Sequence, residues 1–591
     1  MDLANQELHS AQEPDESRKP GYTNIQQTEE SNLEKSQKLQ QSQRSLESEE
    51  SQEHSGPQAA ISPLRLNIIV FGLLIIRRLW ISLFLAALDS TIISTAVFDI
   101  SNSFNSTSQS AWIVTSYLLT YNAFVLLIAK LSDLVGLKPL LLTSNVVFLV
   151  FSIASGVSKT IDQLIIFRAF QGIGASGLYC LVFISILRLV SLEKTGVYSG
   201  VISSVFALSN LLGPILGGVI VDNTTWRWIF YINIPLASIA TLILGCAIPA
   251  SNEVKTNRET FKKLDFVGSF LSVCWLIPIL FALQEGGSQY SWSSGEIIGP
   301  LVGGIVALIT FIAYETWLQN QNNSREPIFP VKFLQDPVQG LLLLNVLFTG
   351  FAFYTSIIIL PQRFQAVNSV SASRAGVLLL TFTLTVPVFS LLAGIVLAKK
   401  PELTYYLLII GTGLVLTATA CFSDLPVDHA ISNRQYGFEV LMGAGLGVLS
   451  STPYVALKMT FPERDTATGT GAMNMLRAMG GCIGLAVCDA MLSSRLDDDL
   501  PTVLSGNPEL IQIAKESLNN ASGFSADQLM LVRQVYGRGY DDGFRVMIAF
   551  AGANVVVAGL LFLSTYRRGG IDRIVAAVKA SEGQREPRTV T

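Results

Sequence analysis

Apolar residues in this chain occur in long blocks that alternate with short polar breaks. A helix of about 20 apolar residues crosses the roughly 30 Å of hydrocarbon in a bilayer, and the blocks approach or exceed that length. The fourteen predicted spans cover residues 79–98, 111–129, 139–157, 164–187, 197–221, 228–249, 266–283, 297–317, 340–360, 375–398, 403–421, 437–457, 467–493 and 544–565. We therefore expect an all-α polytopic membrane protein whose main partner is the lipid bilayer.

The composition excludes several other classes of protein. Half of the 591 residues (50%) are hydrophobic and only 14% are charged, against about a quarter in soluble domains. A net charge of -4 gives no reason to expect a nucleic-acid partner, and three histidines leave little for a metal site. No nucleophile–base pair and no phosphate-binding glycine loop occur, so we expect no enzyme, no metal and no cofactor.

The two ends of the chain differ from the apolar part. Residues 1–60 hold 12 Asp or Glu and 5 Lys or Arg and are rich in Gln and Ser. Such a segment buries too little apolar surface to offset the entropy of ordering, which predicts a disordered cytoplasmic tail. A solubilising tail and a tail regulated by phosphorylation are both open. Residues 566–591 form a second, shorter cytoplasmic tail.

The distribution of basic residues predicts the orientation. With the N-terminus inside, the short inner loops hold 14 Lys or Arg and the short outer loops hold 5. The positive-inside rule then places both termini in the cytoplasm. The glycosylation sequons at Asn105, Asn223 and Asn520 fall on the outer side. We expect a multi-pass protein of the plasma membrane, with the vacuolar membrane as the alternative.

The first span is interrupted by Arg77 and Arg78, and a charge at mid-membrane costs about 2.5–3.5 kcal/mol. We therefore begin the span at Leu79 and lay residues 66–76 along the inner surface. The alternative is a gene-model error, in which removing residues 76–82 would leave one uninterrupted span.

Asp89 is the clearest acidic residue within the membrane part of the N-terminal half. Desolvation favours the neutral carboxyl, so such a group can exchange a proton or attract a cation. An Asp held by neighbouring hydroxyls is the structural alternative. The loop after the second span contains Asp133, Gly136 and Lys138, which suit a charged contact between helix ends, or an ordinary basic inner loop.

Two further spans carry unusual residues. Span 4 contains Arg168 and Gln171, and a buried Arg requires a carboxylate, carbonyl or water partner. Arg477 in span 13 is buried in the same way and could pair with a carboxylate or an anionic substrate. Span 5 carries a glycine-rich segment that allows close helix contact and, through its proline, bends the helix. Its residues are Gly200, Gly213, Pro214, Gly217 and Gly218.

These segments together resemble the major facilitator superfamily and, within it, the fourteen-span drug:proton antiporters, notably fungal toxin and multidrug exporters. The loop at 129–139 resembles the superfamily's inner-loop signature, with Ala129 and Leu137 as departures. Arg168 and Gln171 match the motif whose Arg is linked to proton transfer. The glycines of span 5, with Ser209 at the second position, are similar to the motif characteristic of exporters.

The resemblance implies a major facilitator fold of two six-helix bundles plus two inserted helices. The bundles would cover 66–249 and 340–565, with the inserted helices in 250–339 and an outer segment at 494–543. It also implies a monomeric, proton-coupled exporter of hydrophobic or amphipathic small molecules. A selective carrier for a basic amino acid or an iron chelate, and a non-transporting sensor with a carrier fold, remain alternatives.

Overall fold

The structure is a computed structural model. It describes residues 80–93, 96–104, 109–247, 264–287, 290–321, 327–427, 430–516 and 524–569, together with 576 and 580. The predicted N-terminal tail, the segment 66–76 and the sequon residues Asn105 and Asn520 lie outside these residues. Within them the chain is almost entirely helical, with one isolated bridge between Gly286 and Tyr290.

Fourteen helices occupy the positions of the predicted spans. They are α1 (Trp80–Ile92), α2 (Ser110–Val135), α3 (Leu137–Gly156), α4 (Ile161–Leu189), α5 (Leu192–Asn223), α6 (Asn233–Ala247), α7 (Phe266–Glu285), α8 (Gly295–Asn320), α9 (Pro337–Ala366), α10 (Leu380–Lys399), α11 (Thr404–Phe422), α12 (Arg434–Thr460), α13 (Thr466–Val503) and α14 (Ala526–Arg567). Short helices at Val97–Ser103, Trp228–Tyr231, Lys332–Gln335, Ala372–Leu378 and Pro508–Glu516, and 3-10 turns at Pro401–Leu403 and Glu463–Asp465, lie between them.

Twelve of the helices among the described residues are long and apolar enough to cross a membrane. The other two predicted spans correspond to shorter apolar helices, Trp80–Ile92 and Trp228–Leu242. Both border segments outside the described residues. Twelve spans are therefore present, and the count of fourteen stays a prediction.

Polar side chains mark where several helices begin. The Thr160 hydroxyl accepts a hydrogen bond from Gln163 N at the start of α4, at 3.3 Å. Asp336 accepts from the backbone of Val338 and Gln339 at the start of α9, at 2.9 and 3.3 Å. Such caps satisfy amide groups that have no partner in the first helical turn.

Contacts between helices define two groups and an inserted pair. Among the first six helices, α4 packs on α2 and α3, and α3 packs on α6. Among the last six, α9, α13 and α14 pack together, and α12 packs on α10 and α11. The groups meet where α5 packs on α10 and α12 and where α2 and α4 pack on α13. The domain boundaries at 249 and 339 remain predictions.

The two inserted helices, α7 and α8, pack on each other, and α7 also contacts α2 and α13. The pair therefore lies beside one of the seams between the two groups. Tyr314 of α8 donates a hydrogen bond to Asp265 before α7, at 2.8 Å. The side chains of Val306 and Ile309 on α8 are 57% and 62% exposed, as expected for a lipid-facing helix.

The segment 494–543 is mostly helical. Helix α13 has 38 residues and α14 has 42, which correspond to about 57 and 63 Å at 1.5 Å per residue. Both helices thus extend well beyond a hydrocarbon core of about 30 Å. The extensions are joined by Arg495, whose Nη2 lies 2.6 Å from Asp542 Oδ2. The helices that contain spans 13 and 14 are therefore longer than the hydropathy pattern predicts.

Candidate functional site

A buried ion pair joins α1 and α4. Arg168 donates through Nη1 to Asp89 Oδ2 at 2.6 Å, and the two side chains are 1% and 0% exposed. Gln171, one turn further along α4, donates through Nε2 to Asp89 Oδ1 at 2.9 Å. Three residues singled out from the sequence therefore meet in one site.

Asn233 completes the carboxylate's surroundings. Its Nδ2 donates to Asp89 Oδ1 at 2.8 Å and to Ser152 Oγ at 2.9 Å, which ties α6 and α3 to the pair. The sequence analysis did not select Asn233, although an Asn within an apolar helix was the available signal. The Ser90 and Thr91 hydroxyls donate to backbone carbonyls of their own helix, and Thr91 also donates to Ser209 O of α5 at 3.1 Å.

The Arg168 guanidinium has partners on three sides. Its Nη1 also donates to Gln171 Oε1 at 3.0 Å, and its Nε donates to Ile113 O at 3.2 Å. The ring of Tyr117 lies under it, 4.1 Å from Cζ to the ring centroid. A buried charge is tolerated when it is paired and hydrogen-bonded, and Arg168 has an anionic partner and two further acceptors.

The Asp89 carboxylate is therefore surrounded by donors. Three side chains donate to its two oxygens, and the Arg168 charge balances its own. The roles of Asp89 in proton coupling and in attracting a cationic substrate stay predictions.

The glycine-rich segment lies on α5. A Cβ on Gly200 would stand 2.7 Å from Leu391 Cα of α10, and one on Gly213 would stand 2.1 Å from Thr91 Oγ1 of α1. Gly217 is buried, whereas a Cβ on Gly218 would meet nothing within 4 Å. Pro214 lies inside the helix. Close packing thus requires glycine at Gly200 and Gly213 but not at Gly218.

The loop predicted at 129–139 is instead the end of α2 and the start of α3, with Gly136 alone between the two helices. Gly136 has φ of +94°, a conformation that favours glycine. Asp133 forms an ion pair with Arg188 at the end of α4, and its Oδ2 lies 3.5 Å from Thr468 Oγ1 of α13. Lys138 is the second residue of α3 and is partly exposed.

Other contacts join the two helix groups at the same, predicted cytoplasmic end. Lys458 of α12 donates through Nζ to Val190 O beyond α4. The hydroxyls of Ser203 on α5 and Ser390 on α10 lie 3.1 Å apart. A Cβ on Gly471 of α13 would stand 2.5 Å from Ala129 Cβ. The predicted inner loop therefore belongs to a larger set of contacts between the two helix groups.

Arg477 lies apart from the Asp89 site. Its Cζ is 5.6 Å from the ring centroid of Tyr454 on α12. A series of aromatic rings leads toward the other arginine: Tyr179 makes an edge contact with Tyr121 at 5.5 Å, and Tyr121 stacks on Tyr117 at 6.3 Å. The sequence analysis missed these tyrosines, because they come from different helices.

No group of three or more His, Cys, Asp or Glu side chains that could hold a metal ion occurs among the described residues. The site consists of charged and aromatic side chains buried within a bundle of membrane-spanning helices. A fold of this kind with such a site defines a multi-pass membrane transporter.

Comparison with known proteins identifies its family. The model of the Major Facilitator Superfamily matches residues 79–485, and the chain belongs to this superfamily. The MFS-type transporter FPY5 of Fusarium mangiferae is 38% identical over 492 residues, which cover 82% of each chain. The family resemblance drawn from the sequence is therefore confirmed, and the protein is a transporter rather than an enzyme.

Other fungal relatives carry functional names. The efflux pump FUS6 of Gibberella fujikuroi is 30% identical over 81% of this chain and 86% of its own. The MFS-type efflux pump LUC4 of a Fusarium species is 30% identical over 82% and 86%. The crystal structure of the human organic anion transporter MFSD10 aligns with a TM-score of 0.51 at 14% identity, over 81% of this chain and 99% of that one. At this identity the alignment supports the fold alone.

Proposed function

We propose that this protein is a proton-coupled exporter of hydrophobic or amphipathic small molecules such as toxins, drugs or secondary metabolites. The observation that carries the proposal is the buried pair of Asp89 and Arg168, with Nη1 2.6 Å from Oδ2. The export direction is supported by the glycine-rich segment of α5 and by relatives named efflux pumps.

The geometry links proton binding to helix movement. Protonation of the Asp89 carboxylate would remove the negative charge that faces Arg168. Breaking a buried ion pair costs about 3–5 kcal/mol. That is comparable with the roughly 5.5 kcal/mol that moves a two-state population from 1:99 to 99:1. Protonation of Asp89 would therefore weaken the contact between α1 and α4 enough to favour a second arrangement of the helices.

Substrate and proton would then alternate. A proton from the more acidic outer side neutralises Asp89, separates it from Arg168 and accompanies substrate release. Loss of the proton to the cytoplasm restores the pair and admits the next molecule. Opening toward the cytoplasm requires release of the contacts around Asp133 and Thr468.

Proteoliposomes that contain the full chain test the coupling. The pH-sensitive dye pyranine is enclosed in the vesicles. Transport of a pyrene compound in exchange for protons should then change the internal pH. We expect Asp89→Asn and Arg168→Ala to abolish this change. The exposed acid Asp162 on the first turn of α4 supplies the control Asp162→Asn, which should behave like the wild type. Equal proton movement in Asp89→Asn and the wild type would refute the proposed coupling.

The same assay separates the alternatives. A selective metabolite carrier would accept a basic amino acid or an iron chelate and reject the pyrene compounds. A non-transporting sensor would move none of these compounds across the membrane. Cells that lack the sensor would nevertheless lose a cellular response. We further propose that the protein is a monomer of the plasma membrane with both termini in the cytoplasm. Fluorescence microscopy of the tagged protein distinguishes the plasma membrane from the vacuolar membrane.

Cysteine labelling tests the orientation. Lys515→Cys should react with an impermeant maleimide from outside the cell, whereas Lys263→Cys should react only after permeabilisation. The opposite labelling pattern would refute the orientation.

A further inference from the structure

Arg477 differs from Arg168 in its surroundings and is partly buried, whereas Arg168 is fully buried. The Nε and Nη2 atoms of Arg477 are shielded from solvent and have no hydrogen-bond partner among the described residues. The helix backbone there is fixed, because a Cβ on Gly350 of α9 would stand only 1.9 Å from Arg477 O. The side chain thus projects from a rigid segment with part of its hydrogen-bonding capacity unused.

The charge of Arg477 lacks the compensation that Arg168 has. Arg168 faces a carboxylate, an amide and a carbonyl. Around Arg477 the structure places four tyrosines: Tyr454 under the guanidinium, Tyr179 and Tyr121 beyond Phe183, and Tyr354 against α13 at Gly481, one turn away. A buried guanidinium without an anionic partner is unfavourable, so this position favours a ligand that supplies the missing negative charge. A planar carboxylate matches the guanidinium fork with two parallel hydrogen bonds.

The four tyrosines come from both helix groups. Tyr121 and Tyr179 belong to α2 and α4, and Tyr354 and Tyr454 belong to α9 and α12. Phenol hydroxyls can donate hydrogen bonds to a carboxylate that is held by Arg477. An anion at this position would therefore interact with both groups at once, as a transported molecule must.

A cluster of packed aromatic rings adjoins the same position. Phe183 stacks on Tyr454, with 4.6 Å between ring centroids, and Tyr179 contacts Phe183 and Phe206 at 5.3 and 5.2 Å. Aromatic rings bind apolar molecules through burial and ring contacts. The cationic group and the aromatic cluster together match an amphipathic acid.

We propose that Arg477 binds the carboxylate of an amphipathic organic acid, and that the aromatic side chains around Tyr179 and Tyr454 bind its apolar part. This inference rests on the proposed export function and specifies its substrate class. It assigns the two arginines different roles, because Arg168 is paired with Asp89 whereas Arg477 contacts the substrate.

Binding to the full-length protein in detergent tests the inference without requiring transport. Three fluorescent probes share one apolar group and differ in charge: pyrenebutyrate, its methyl ester and pyrenebutylamine. Fluorescence titration should show that the acid binds the wild type about 10- to 100-fold more tightly than the ester or the amine, the effect of a hydrogen bond to a charged group. A corresponding rise in the temperature of unfolding should appear with the acid alone.

Variants assign the preference to one residue. Arg477→Gln should reduce the affinity for the acid to that for the ester, and Arg477→Lys, which keeps the charge without the fork, should retain part of the preference. Arg374, which is exposed before α10, supplies the control Arg374→Gln, and this variant should bind like the wild type. Tyr354→Phe should weaken acid binding with no effect on the ester.

Three results would overturn the inference. They are equal binding of acid and ester to the wild type, absence of acid binding, and an acid preference that survives in Arg477→Gln. The first two need no variant, so a failure of Arg477→Gln to fold leaves the test intact. Acid binding that depends on Arg477, without proton movement for any probe, would support this site and refute the proton coupling instead.

Discussion

Asn233 donates a hydrogen bond to Asp89 at 2.8 Å, although 144 positions separate the two residues in the chain. The contact joins α6 to α1 inside the first group of helices. It gives the carboxylate a donor from a third helix, besides Arg168 and Gln171 of α4. Any movement that protonation of Asp89 starts is thereby transmitted to α6 as well as to α4.

We expect Asn233→Ala to weaken proton-driven export about tenfold. The variant removes one hydrogen bond to a charged group, which is worth about 1.5–3 kcal/mol, and so alters the balance between the paired and separated states. Pyranine fluorescence in proteoliposomes measures the effect. Asn320→Ala, at the exposed end of α8, is the matched control and should keep the wild-type rate. Unchanged coupling in Asn233→Ala would show that Asn233 serves packing alone.

The Asp89 and Arg168 pair should show strongly non-additive stability. Asp89→Asn leaves a buried guanidinium without its partner, and Arg168→Gln leaves a buried carboxylate, so each should destabilise the protein by about 3–5 kcal/mol. The double variant has no uncompensated charge and should be more stable than either single variant. Thermal unfolding in detergent measures this, and proton coupling should stay lost in all three. Additive losses would mean that the charges do not interact as the 2.6 Å contact indicates.

Two glycines of α5 should respond with opposite signs to alanine. A Cβ at Gly200 would overlap Leu391 of α10, and overpacking costs about 1–3 kcal/mol. At Gly218 the Cβ meets nothing within 4 Å, so alanine should stabilise the helix by up to about 1 kcal/mol. Gly200→Ala should lower the unfolding temperature and the transport rate, while Gly218→Ala should lower neither. Equal loss in both would mean that the segment acts through backbone flexibility instead of close packing.

Asp336 should contribute stability that disappears in acid. Burial alone would raise the pKa of Asp336, but hydrogen bonds from Arg568 and from the backbone of Gln339 and Val338 outweigh it and lower the pKa. A lowered folded pKa means that the contribution is complete above the unfolded pKa of about 3.9 and is lost as the pH falls through the folded value.

The ion pair of Asp336 and Arg568, at 2.8 Å, is partly exposed and should therefore contribute no more than about 1 kcal/mol. Arg568→Gln should lower the unfolding temperature at pH 7, and its difference from the wild type should shrink below about pH 4. Arg567→Gln is the control, since Arg567 is exposed at the end of α14. A difference that is independent of pH would assign the effect to packing.

The sequence by itself determined the class and the general layout of this protein. Blocks of apolar residues must form helices in a bilayer, because every backbone polar group there needs an internal partner. The positions of those blocks predict fourteen spans, and among the described residues twelve of them correspond to helices long and apolar enough to cross a membrane. Asp89, Arg168 and Gln171 were identifiable because charged and amide side chains are costly within a membrane.

Only the tertiary structure decided which of these residues act together. Hydropathy cannot show that Asn233 and Ser152 join the Asp89 site, that Asp133 pairs with Arg188, or that four helices contribute the tyrosines around Arg477. These relationships depend on how the helices pack, which small residues such as Gly200 and Gly213 control through close contact. Asp89 and Arg477 therefore look alike in sequence, as isolated charges in apolar helices. Packing gives one of them a complete set of partners and leaves the other with an uncompensated charge.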